Sequence, residues 1–180
     1  MRTAIVFESM YGNTHHIANA IAEELREFGP VNVVPAHAAT TDLVAVDLLV
    51  VGGPTHAHGM SRPSTRQAAV EKVAKPDTHL TLDPDAIGDG VREWLEAVNS
   101  EGTNAAAFDT RVAMMPALTG RASRGIAKVL RRQGFELVVP PESFLVSKDT
   151  HLEPGEDTHA RTWARQLGTL AATRLASFSE

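Results

Sequence analysis

The sequence predicts an α/β fold, a doubly wound five-stranded parallel sheet with helices on both faces. Three observations carry that reading. Short, almost wholly apolar runs alternate with segments of helical periodicity, the pattern of βαβ units. The runs at residues 3–8 and 47–51 are apolar at nearly every position, as expected of strands covered on both faces. The intervening segments place apolar residues at helical spacing, beginning with Ile17, Ile21, Leu25 and Phe28.

The elements follow in order. Residues 3–8 form the first strand, and Ser9 to Asn13 are a turn of small and polar residues leading into the first helix. Gly29 and Pro30 stop that helix. Residues 31–34 read as the second strand and 47–51 as the third, ending at Gly52, Gly53 and Pro54. A helix starts near Ser64 and fails by Lys75 and Pro76. Residues 75–90 hold two prolines, two glycines and four aspartates and read as a surface loop or an insertion. Val91, Trp94, Leu95 and Val98 mark the next helix. Residues 105–109 are a small, buried fourth strand, and 114–120 a loop. Ser123 is the expected cap of a helix with Ile126, Ala127 and Leu130 inside, ended by Gly134. Residues 135–139 and 144–146 form a fifth strand in two pieces across Pro140 and Pro141. A last helix runs over about 157–175, burying Trp163, Ala164, Leu167, Leu170 and Ala171.

The 180 residues suit one domain with a core of its own. The chain has no cysteine, which excludes disulfides, thiolate metal sites, iron–sulfur clusters and cysteine nucleophiles. A net charge of −5 argues against nucleic acid as the main partner. No signal peptide pattern and no bilayer-length apolar run are visible, so a soluble cytoplasmic protein is expected.

Ligands in doubly wound sheets bind outside the carboxyl ends of the strands. The loop after the first strand reads Ser9-Met10-Tyr11-Gly12-Asn13-Thr14. It joins hydroxyls, an amide and a glycine to a helix N-terminus, which attracts anions through free N–H groups and the helix dipole. It holds no lysine or arginine, so a phosphate there would rest on neutral donors. It is neither a P-loop nor a G-x-G-x-x-G fingerprint. The loop after the third strand reads Gly53-Pro54-Thr55-His56-Ala57-His58-Gly59-Met60, and the one after the fourth begins Asp109-Thr110-Arg111. His56 and His58 alone make no closed metal site. Asp83 and Asp85 mimic the start of a calcium loop, but Ile87 and Trp94 fill two of its ligand positions. His15 and His16 are expected on the exposed surface beside the first loop. No hydrolase motif is present.

The first loop resembles the phosphate loop of the flavodoxin family, T/S-x-T-G-x-T, through Ser9, Gly12 and Thr14, with Asn13 a common occupant and Tyr11 keeping a hydroxyl where threonine is usual. The Ser-Met-Tyr-Gly string is similar to that of flavodoxin-like NAD(P)H:quinone oxidoreductases. The resemblance covers nearly the whole element order, outside residues 75–90, and implies strand order 2-1-3-4-5 and bound FMN. By that resemblance Ser9, Tyr11, Asn13 and Thr14 hold the phosphate, in a cofactor-binding loop that also includes Met10 and Gly12. Pro54, Thr55, His56 and Gly59, with Asp109, Thr110 and Arg111, surround the ring. His56 stands where a stacking aromatic is common, and the family's tyrosine in the third loop is missing. Arg111 either places positive charge near flavin N1 or pairs with a neighbouring acid. The implied function is electron transfer through FMN, to a redox partner protein or a small-molecule acceptor. Two alternatives stay open: an NAD(P)H-dependent FMN or quinone reductase, and an interaction or sensing module that has lost FMN.

Overall fold

A computed structural model describes residues 1–43 and 46–177. Its strands are β1 (Thr3–Phe7), β2 (Val31–Pro35), β3 (Leu48–His56), β4 (Gly59–Met60), β5 (Asn104–Val112), β6 (Glu136–Leu137) and β7 (Glu142–Val146). Its helices are α1 (Asn13–Leu25), α2 (Pro63–Val73), α3 (Val91–Ala97), α4 (Pro116–Thr119), α5 (Ala122–Arg132) and α6 (Glu156–Ser177), with single 3₁₀ turns at Arg26–Phe28 and Ala36–Ala38. The parallel sheet runs β2-β1-β3-β5, and both β6 and β7 pair with β5 beyond it. Once the short antiparallel β4 is set aside and β6 and β7 are taken as one interrupted strand, this is the expected order. Residues 75–90 contain neither helix nor strand.

Alternation along the strands sorts the core into two layers. Ile5, Phe7, Leu48, Val50, Ala106 and Phe108 face α1 and α6, meeting Ile17, Ile21, Trp163 and Leu167. Ala4, Val6, Leu49, Val51, Ala105 and Ala107 face α3 and α5, meeting Trp94, Leu95, Ile126 and Leu130. Gly52 is bare for a reason: the ring of buried Phe108 lies where its side chain would be. Outside the sheet, Arg161 of α6 bonds Glu23, Glu24 and Asp157, and Arg165 bonds Glu24, clamping α6 to α1.

Two strands run further than the sequence suggests. β3 continues through Gly52, Gly53 and Pro54 to His56, because Gly53 and Pro54 pair in register with Asp109 and Thr110. β5 continues to Val112 because β7 pairs with it from Phe108 to Val112. Asp109, Thr110 and Arg111 therefore stand on a strand, not at the start of a loop. The 114–120 loop contains α4. No helix among the described residues is long and apolar enough to cross a membrane.

Candidate functional site

At the end of β1 the chain turns through Ser9 to Gly12, and Gly12 is the N-cap of α1 at φ 88°, ψ −19°. Its N–H donates to Ser9 Oγ at 3.1 Å. The first-turn N–H groups of α1 have no acceptor within the helix. Met10 is buried beneath the turn against Ala69 and Ala86. Asn13 Nδ2 donates to the Thr150 carbonyl at 2.6 Å, and the Thr14 and Thr110 hydroxyls lie 2.7 Å apart in a buried bond. Burial pushes the Tyr11 phenol up, so its proton stays on at neutral pH.

The expected loop after β3 is a hairpin. Thr55 pairs with Met60 and His56 with Gly59, around a two-residue turn at Ala57 and His58, both at positive φ (42° and 72°). His56 is partly buried. Burial first, and the positive charge of Arg66 second, hold its imidazole below the usual range, so it is neutral at pH 7.

Asp109 is fully buried on β5. Its Oδ2 accepts from the Thr55 hydroxyl at 3.1 Å and the Ser123 N–H at 2.8 Å. Thr55 Oγ1 in turn accepts from the Ala122 N–H at 2.8 Å. Ser123 is thus not the cap of α5: it lies inside the first turn, and two other strands supply the acceptors. Arg111 pairs with no acid among the described residues. Its Nη1 donates to the carbonyls of Met114 (2.8 Å) and Val112 (3.3 Å), bracing the chain after β5. Asp109→Ala strands the Thr55 hydroxyl and the Ser123 N–H, and is expected to cost about 2 kcal/mol in denaturant unfolding, with Asp109→Asn recovering part of it.

These pieces enclose a cleft at the carboxyl ends of β1, β3 and β5. A cavity of about 190 Å³ is lined by Ser9, Met10, Tyr11, Asn13, Thr14, Pro54, Thr55, His56, Thr110 and Arg111, with Val112, Val146 and Thr150. Gly12 belongs to the same turn but does not line the cavity, and Asp109, also outside the lining, bonds Thr55, which does line it. Gly59 lies in the hairpin and lines a separate hollow with His58 and Arg62. Tyr11, Thr55 and His56 also wall a hollow of about 380 Å³ reaching Ala69 and Lys72. Beyond Tyr11 and Asn13 lies a larger one, about 670 Å³, bounded by Lys72, residues 77–81 and residues 148–151. The local sequence of the first loop gives no sign of Lys72, Lys148 or Thr150, which distant segments bring in.

His15 is not free surface. Its ring stacks on Phe7 (centroids 4.4 Å apart), and its Nδ1 lies 3.2 Å from Oδ2 of buried Asp83. Asp83 N–H donates to the Met10 carbonyl at 2.9 Å, so residues 75–90 are pinned under the first loop at this point. Asp85 stands nearby, its Oδ2 3.9 Å from His15 Nδ1. His16 does lie at the surface, bonded to Asp157.

Glu8, read as the end of an apolar strand, is buried among polar groups. Its Oε2 accepts from the Val91 N–H at 3.0 Å. Close by, Arg66 bonds Ser61 at 2.9 Å and pairs with Glu93 at 3.1 Å. Burial raises the Glu8 carboxyl above its usual range despite Arg66. A raised folded-state value favours the fold at low pH, and that contribution is lost as pH rises through it. Glu8→Gln is therefore expected to melt higher than the parent at pH 7, with the gap closing toward pH 4 in thermal melts.

The fold is flavodoxin-like. The flavodoxin domain family matches residues 4–67, from β1 through the hairpin into α2. Among solved structures, a flavodoxin from the domain Archaea superposes with TM-score 0.66 at 20% identity, over 96% of this chain and 99% of that one. Oxidised Flavodoxin 1 from Bacillus cereus gives 0.65 at 17% identity, over 93% and 97%. A flavodoxin, WrbA-like protein from Agrobacterium tumefaciens gives 0.58 at 16% identity, over 96% and 98%. At these identities the likeness is one of fold. No curated protein matches the sequence.

Proposed function

We propose that the chain binds FMN in the cleft and transfers electrons through it in the cytoplasm. The observation that carries this reading is the convergence of the turn at Gly12, the α1 N-terminus and the strand ends at Thr55–His56 and Thr110–Arg111 on one cavity. The donor set fits a phosphate: helix N–H groups and the hydroxyls of Ser9 and Thr14, with buried Asp83 hydrogen-bonded to His15 and buried Asp109 to Thr55 and the Ser123 N–H. Tyr11 and His56 fit a planar ring, since both wall the adjoining hollow and both are neutral at pH 7. Bound flavin supplies the one- or two-electron chemistry. The protein's part is to hold the phosphate on the first loop, to orient the ring between Tyr11 and the hairpin, and to place Arg111 at its edge.

A second reading, an NAD(P)H-dependent FMN or quinone reductase, draws support from the 670 Å³ hollow, which shares Tyr11 and Asn13 with the cleft and offers Lys72 and Lys148 to an anionic substrate. The test is the visible spectrum of the purified protein before and after adding FMN and gel filtration. Oxidised flavin bands retained through the column support the reading. A protein that cannot hold FMN overturns it and favours an interaction module. Sustained NADH or NADPH oxidation with a quinone acceptor then selects the reductase over the carrier.

A further inference from the structure

Residues 110–135 contain six basic side chains, Arg111, Arg121, Arg124, Lys128, Arg131 and Arg132, and no acidic one. With the chain at −5 overall and this segment at +6, everything else sums to −11. The fold puts the contrast to use. α5 turns Ile126, Ala127 and Leu130 into the core and leaves Arg124, Lys128, Arg131 and Arg132 exposed as a stripe at helical spacing. Among the described residues none of these four, nor exposed Arg62, lies within ion-pair distance of a carboxylate. On α6 the arrangement is opposite, with Arg161 and Arg165 both spent on acids of α1.

The stripe starts at the cleft, because α5 begins on Asp109 and Thr55. Just before it, α4 and its approach expose Met114, Met115 and Leu118 (43%, 67% and 59%), an apolar lip joined to the hairpin by the bridge between His58 and Gly120. An apolar centre with methionine, fringed by unpaired arginine, is the composition of a protein-binding patch.

We infer that an acidic protein docks on this face, its carboxylates over Arg62, Arg124 and Lys128 and its apolar centre on Met115 and Leu118, beside the cleft. That the docked protein exchanges electrons rests on the flavin reading; the docking surface does not. Charge complementarity selects the partner. A long nucleic acid would run past the patch onto the −11 remainder. An anionic membrane would also attract basic residues, but the apolar face of α5 that could insert beside them is in the core.

The test is binding of the full chain to an acidic [2Fe–2S] ferredoxin, followed by backbone amide shifts with and without FMN. Saturable binding is expected, weakening about 10-fold or more between 20 and 200 mM NaCl. The shifts should map to 56–62 and 111–128. Arg124→Glu with Lys128→Glu should abolish binding, while Arg26→Glu with Lys75→Glu, the same charge change elsewhere, leaves it in place. Equal loss in both double variants, shifts spread over the surface, or no binding at 20 mM NaCl overturns the proposal. So does preferential sedimentation with phosphatidylglycerol vesicles or a stronger response to duplex DNA. Ferredoxin binding that persists in a protein unable to hold FMN keeps the docking face and removes only the flavin.

Discussion

Gly12→Val is expected to abolish FMN retention while leaving the fold in place. At φ 88° an L residue is strained by about 1–2 kcal/mol, and a β-branched one suffers most. The backbone relieves this by leaving the left-handed region. That moves the N–H that donates to Ser9 Oγ and re-aims the first turn of α1. A new side chain also grows toward the Asp83 carboxylate, whose Oδ2 lies 3.9 Å from the position of a Cβ on Gly12. Loss of one or two charge-assisted bonds to a phosphate corresponds to roughly 100-fold in affinity. Fluorescence titration with FMN measures this, and circular dichroism checks the fold. Affinity within a few-fold of the parent would refute the assignment of this loop.

Gly52→Ala is the stability counterpart. Gly52 is fully buried, and an added methyl group falls among the ring atoms of Phe108, itself held by Phe144 and Trp163 in edge-to-face contacts with centroids 6.0 and 6.4 Å away. The ring cannot swing aside without moving those neighbours, and β3 and β5 are locked in parallel register on both sides of the clash. Overpacking of this kind costs about 3 kcal/mol, a drop in melting temperature of roughly 10 °C for a chain of this size. Adding Phe108→Leu to Gly52→Ala should recover part of the loss, which denaturant melts of the three variants would read as non-additivity.

The central strands and the first loop were legible because their signals are local. An apolar run, a small polar turn and a helix start lie next to one another between residues 3 and 25. What escaped depends on distant partners. Gly53 and Pro54 look like a stop, yet β5 holds them in register. The hairpin turn carries Ala57 and His58 where Asn-Gly would announce positive φ, so nothing in its residues declares it. Ser123 matches a cap by type, but the acceptors come from Thr55 and Asp109. The pairings of Asn13 with Thr150 and of His15 with Asp83 join residues 137 and 68 positions apart, beyond any periodicity.

The hydroxyls around the cleft have a fixed polarity. A hydroxyl has one proton to give. Thr55 has given its proton to Asp109, so toward a ligand it can only accept. Ser9 receives the Gly12 N–H and keeps its proton. Thr14 and Thr110 share one bond, which leaves a single proton between them to offer. The cleft thus gives protons at the α1 end and takes them at the β3 end. A molecule that is an anion at one extremity and carries N–H groups at the other fits in one orientation, and its reversal would set acceptor against acceptor at Thr55.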